Sequence, residues 1–139
     1  MSALSVTAAN VVKGANASTN SGIAGATITA GQPLYIDATD SNYLKPADAD
    51  ASTATAAAVG IALNGASRSQ PVSYVTADSD FTPGATLVSG ESYYLSSTAG
   101  SINPVADLAT GWYPVQLFIA KSTTKAVLNI TVQNSAAHA

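Results

Sequence analysis

Gly25-Ala-Thr-Ile-Thr-Ala-Gly-Gln-Pro-Leu-Tyr-Ile-Asp37 decides the reading of this chain, because the chain says it again at Gly84-Ala-Thr-Leu-Val-Ser-Gly-Glu-Ser-Tyr-Tyr-Leu-Ser96. Laid over each other without a gap, Gly25, Ala26, Thr27, Gly31 and Tyr35 fall on Gly84, Ala85, Thr86, Gly90 and Tyr94. Ile28 and Ile36 fall on Leu87 and Leu95. Each copy reads as a short strand, a two-residue turn at Ala30-Gly31 or Ser89-Gly90, and a second strand. Glycine at the turn supplies the positive φ of a tight hairpin, and the flanking β-branched and aromatic residues suit a half-buried pleat.

The echo continues downstream. Ala58-Val-Gly-Ile-Ala-Leu63 matches Gln116-Leu-Phe-Ile-Ala-Lys121, and Pro71-Val-Ser-Tyr-Val75 matches Asn129-Ile-Thr-Val-Gln133. The expectation is two copies of one β-unit, 23–77 and 82–133, each of roughly 50–60 residues. Short strands ended by glycine resemble one another in any β protein, so the strand registers must decide.

At 139 residues the chain is long enough for one domain with a core of its own. Apolar residues make up 47%, but aromatics only 6%, so that core is thin and built from Val, Ile, Leu and Tyr. Charged residues are 9%, far below the usual quarter. Such a surface is rich in Ser, Thr and Asn and suits a protein covered by partners. Four lysines (Lys13, Lys45, Lys121, Lys125) and Arg68 stand against a net charge of −3, so no basic patch for nucleic acid is expected. There is no cysteine, which excludes disulfides and thiolate metal sites. Met1–Thr7 lacks the form of a signal peptide, and no run is long and apolar enough to suggest a membrane helix.

Read in order, 1–22 is an N-terminal strand or extended arm followed by a small, polar, flexible loop from Lys13. The segment Ala47–Ala57 is low in complexity and reads as a turn or short helix. Ala77–Gly84 links the halves, Trp112–Ala120 is the expected core strand of the second, and 134–139 is a loose tail. About ten short strands with turn signals between them give an all-β class, a sandwich or barrel-like domain spanning 23–133. The six prolines sit at strand starts, ends or edges.

Little here carries chemistry. The single histidine, His138, lies in the tail, where no triad or metal site could hold it in geometry. Asp37/Asp40, Asp48/Asp50 and Asp78/Asp80 could offer hard oxygen ligands, but no calcium-loop pattern surrounds them, and they read as turn residues bonding their own backbone. Glu91 sits on the second hairpin turn, without the partner that glycoside hydrolysis needs. Six tyrosines and Trp112 could form a sugar-stacking strip, though tyrosine in a strand is more often half-core with a wet hydroxyl. No catalytic residue, cofactor or metal site is expected, and the chain does not read as an enzyme.

Three stretches carry a family resemblance: Ile28-Thr-Ala-Gly-Gln-Pro-Leu-Tyr-Ile-Asp37, the Ala/Asp/Ser/Thr run at 47–57, and Val59-Gly-Ile-Ala-Leu63 followed by Gln70-Pro-Val72. Together they resemble the head decoration, or capsid cement, proteins of tailed bacteriophages. Ser69 departs from that pattern, standing where the family often has glycine before Gln70. The resemblance covers roughly residues 23–130 and rests on turn grammar. It implies a β-rich knob, often trimeric, made in the host cytoplasm. Its place would be the outside of the virion, on the major capsid protein, with no nucleic acid or membrane as partner. On this reading Leu4, Val6, Val11, Val12, Trp112 and Tyr113 are the candidate contacts with the capsid or a neighbouring subunit, and the arm 2–22 reaches onto one of them. A tail-fibre or adhesin module and a carbohydrate-binding module are the alternatives.

Overall fold

The computed structural model describes residues 3–132. Nine strands share one sheet: β1 (Ser18–Ile23), β2 (Pro33–Asp37), β3 (Tyr43–Pro46), β4 (Gly60–Ala62), β5 (Pro71–Phe81), β6 (Ser92–Leu95), β7 (Ile102–Pro104), β8 (Val115–Ala120) and β9 (Ala126–Val132). The order is β3-β2-β4-β5-β9-β8-β6-β7, with β1 added on β5, and every strand pairing is antiparallel. The sheet curls into a half-barrel, so the all-β, barrel-like class is the observed one.

The order reads alike from both ends. β2, β3, β4 and β5 take the same places in the first half as β6, β7, β8 and β9 in the second. Pro33 and Leu34 face Ile61 and Gly60, while Ser92 and Tyr93 face Ile119 and Phe118. The turns repeat bond for bond. The Gly31 amide donates to Ala62 O (2.8 Å) and the Ala62 amide to Gln32 O (2.9 Å). Gly90 donates to Ala120 O (2.7 Å) and Ala120 to Glu91 O (2.9 Å). Both glycines hold positive φ, 95° and 86°. Their conformation is the one the sequence implies, but the hairpin is not. Ile28 bridges to Ala66 instead of to β2, and Leu87 donates to Thr123 O, so each short segment crosses to a distant loop.

The strand registers also correct the downstream alignment. Ile61 faces Val75 and Ile119 faces Val127, so Val127, not Gln133, is the counterpart of Val75. The last connection of the second unit is simply shorter. Two segments read as loop or linker are strand. Ser18–Gly22, placed in the flexible loop, belongs to β1 and pairs with Val72–Ala77. Ala77–Phe81, read as a link, is the second half of β5 and pairs with β9. The 11-residue β5 therefore closes the first unit with one half and opens the second with the other.

Two cores follow. The smaller lies within the first unit, around Leu34, Leu44, Ala62, Val72 and Tyr74. The larger holds Phe81, Tyr93, Phe118 and Leu128 of the second unit together with Ile61 and Val75 of the first. Phe118 stacks on Tyr93 at 5.2 Å between centroids and meets Phe81 edge-on at 6.3 Å. Each such ring contributes about 2–3 kcal/mol through burial. Ala47, Ala49, Ala56 and Ala58 are buried in the same core. The segment that carries them is a series of turns rather than a helix. Its small side chains let the backbone come close enough to bond across the molecule, Ala49 N to Ser96 O (2.9 Å) and Gly100 N to Ala47 O (2.8 Å).

Candidate functional site

The six residues expected to contact a partner are divided by the fold. In the arm, Leu4 and Val6 alternate with exposed neighbours and are half-buried against the main core, and Val11 lies within it. Backbone bonds fix the arm to its own chain: Leu4 N to Ile102 O (2.7 Å), Thr7 N to Gly84 O (2.8 Å), and a two-way bridge between Val12 and Thr82. The Asp78 carboxylate, buried beneath, accepts from the Gly14 amide (2.6 Å) and the Asp80 amide (2.9 Å). Within the described chain the arm's apolar residues pack into this chain's own core. Of the six only Val12, 54% exposed, faces solvent. Trp112 and Tyr113 are half-buried against the same core from a separate turn, where the Tyr113 amide donates to Ala49 O (2.7 Å).

Between arm and body run two neutral grooves. One, of about 520 Å³, is lined by hydroxyls and small groups of Ser5, Thr7, Asn10, Thr82 and Thr86. The other, of about 260 Å³, lies between Leu4, Val6, Gln32 and Ser101. Neither contains a charged side chain.

The charged residues are engaged elsewhere. Asp40 takes Arg68 in a two-pronged pair (2.8 and 3.0 Å) and Lys45 at 3.0 Å, and Lys45 reaches Asp37 at 2.8 Å. Arg68 also donates to Gly25 O (2.9 Å) and covers the Tyr43 ring at 5.5 Å. This network ties the β2–β3 hairpin to the loop before β5. The Arg68 guanidinium, with Lys45, holds the Asp40 carboxyl well below the usual carboxylate range. Lys45 and the Thr39 hydroxyl and amide do the same for Asp37. Asp80 is lowered by Lys121, at 3.0 Å, and more weakly by Lys125. Asp48 moves the other way: burial raises it, although its carboxylate accepts the Asp50 amide (3.1 Å). Among the described residues, no three His, Cys, Asp or Glu side chains stand together in a way that could hold a metal ion.

The outer face of β6, β8 and β9 is open. Its cross-strand rows are Ser92–Ile119–Val127 and Tyr94–Gln116–Thr131. Ile119 and Val127 are 41% and 42% exposed, while Tyr93, Phe118, Ala126 and Leu128 between them point inward. No charged residue lies in either row. Lys121 and Lys125 flank the apolar pair at one end and share Asp80. A neutral face with an apolar pair can pack against protein and offers no nucleophile–base pair. Of the six tyrosines, Tyr74 and Tyr93 are buried, the Tyr93 hydroxyl accepts the Val88 amide (3.0 Å), and the other four are half-buried. Reading the sequence for apolar alternation missed this face. A bulge between Gln116 and Phe118 breaks the alternation of β8, and only the alignment of Ile61 with Ile119 pointed to it.

In comparisons with known proteins, no family model and no curated sequence matches the chain.

Proposed function

We propose that this chain is a non-enzymatic structural protein of a tailed-phage virion that binds the outer surface of the capsid and stabilises the shell. The observation that carries the reading is the use of charge. The ion pairs tie loops of the fold together, and the open face of β6, β8 and β9 carries no charge in its cross-strand rows. A protein that works by covering surface needs such a face, and many weak contacts repeated over a shell hold firmly together. The turn grammar at Ile28–Asp37 and Val59–Val72 supports the capsid as that surface. The partners on this reading are the major capsid protein and further copies of the chain.

The test is the copy number of the chain in purified particles of its source, relative to the major shell protein. A ratio near parity is the expected result. A handful of copies per particle would move the chain to the tail or a fibre. Its absence from particles would overturn the reading and make glycan-array binding the next measurement.

A further inference from the structure

The two units close their seams in different ways. Leu44 of β3 and Ile102 of β7 are equivalent, since Ile36 faces Leu44 and Leu95 faces Ile102. Gly25 and Gly84, which open the repeated stretch, are equivalent too. In the first unit the Gly25 amide donates straight to Leu44 O (2.7 Å), and a Cβ on Gly25 would stand 2.8 Å from Tyr43 Cβ of β3. In the second unit the arm takes that place. The Leu4 amide donates to Ile102 O (2.7 Å), and the Thr7 amide donates to Gly84 O (2.8 Å). A Cβ on Gly84 would stand 2.7 Å from Thr7 O. The same glycine position makes room for the unit's own strand in one case and for the arm in the other.

We infer that the seam of the second unit, between Gly84 and β7, is a strand-binding site for a neutral, extended peptide, and that the arm 3–12 is its built-in ligand. The seated arm defines what the site takes. Its backbone supplies the bonds, through the amides of Leu4, Thr7 and Val12. Its side chains alternate: Leu4 and Val6 turn toward the core, while Ala3, Ser5 and Thr7 are exposed. Peptides held in this mode gain affinity from main-chain bonds and specificity from the places of alternate side chains. The segment 3–12 carries no charge, and neither do the grooves that run along it. Beyond it the chain is latched by the Gly14 amide on Asp78 (2.6 Å). This inference goes beyond the capsid reading and does not rest on it, because it is tested on the purified chain alone.

The experiment uses the full chain with a specific protease site inserted between Ala15 and Asn16, beyond the latch at Gly14. After cleavage the arm peptide is expected to stay with the body through gel filtration at micromolar concentration, with circular dichroism unchanged. A fluorescein-labelled peptide of residues 2–15 should then exchange into the cleaved protein, read as a rise in anisotropy. The uncleaved chain should take it up at least about tenfold less well, because the tethered arm competes at high effective concentration. In the labelled peptide, Val6→Asp turns a charge toward the core and Thr7→Pro removes the amide that reaches Gly84. Each should weaken uptake at least about tenfold, and Ser5→Ala, on the exposed side, should leave it unchanged. An arm that leaves the cleaved body, equal uptake by cut and uncut chains, or Val6→Asp and Thr7→Pro peptides that bind like the parent would overturn the inference.

Discussion

Ser69 holds φ at 74°, in the left-handed region, while its amide donates to Ala24 O (2.8 Å) at the turn before β5. A side chain there crowds the carbonyl, and glycine removes that strain at some cost in unfolded-state entropy. Ser69→Gly is expected to raise stability by about 0.5–1 kcal/mol, read as a higher thermal midpoint, whereas Ser69→Val should lower it. An unchanged midpoint in the glycine variant would mean the turn carries no strain. The carboxylates of the β2–β3 hairpin set the acid limit. Asp37 and Asp40 are held below their ordinary range, so their stabilisation is complete above the unfolded value of about 4 and is lost as pH falls through the folded values. In Asp40→Asn the drop in urea midpoint between neutral and acid pH should shrink, and a drop equal to the parent's would remove the network from the acid response. Asp48, raised by burial, contributes with the opposite sign: its share is present at acid pH and is lost as pH rises through its folded value.

Gly31 and Gly90 occupy equivalent turns with nearly equal φ, yet their surroundings differ because the arm lies over only one of them. A Cβ on Gly31 would stand 2.5 Å from Val6 Cγ1 and 3.1 Å from Val11 Cγ2, and one on Gly90 would meet nothing within 4 Å. Both alanine variants carry the left-handed cost of about 1–2 kcal/mol. Gly31→Ala should lose about 1–3 kcal/mol more by forcing the arm outward, and limited proteolysis should cut that arm faster. Equal losses in the two variants would mean the arm is loosely held. These turns were legible in the sequence because glycine at a fixed distance before a Tyr-bearing strand is a local signal. β1 was not, since Ser18-Thr-Asn-Ser-Gly-Ile23 is almost wholly exposed and has no apolar alternation. It is a strand only because β5 offers it an edge. The second half of β5 hid for a related reason. Asp78 and Asp80 are turn formers, and they sit in a strand because β9 takes one edge while Asp78 binds the arm. The open face was half legible: repetition placed Ile119 on Ile61, but which of the two pairs is covered depends on the path of a connection.

The molecule consists of two repeats that cannot be separated, because β5 belongs to both and the larger core draws Ile61 and Val75 from the first unit into the second. Two autonomous units would each enclose a core and share a linker, and would melt at their own temperatures. Here the strand that ends one unit begins the other, so losing the second unit strips β5 of β9 and uncovers Ile61 and Val75. One cooperative transition is expected. Trp112 fluorescence, which reports the second unit, and far-ultraviolet circular dichroism, which reports both, should give coincident denaturation curves. Phe81→Ala, which removes a buried ring from the shared strand, should shift both curves together by about 3–5 kcal/mol. If fluorescence moved while part of the dichroism signal kept its original midpoint, the first unit would be folding on its smaller core around Leu34 and Tyr74.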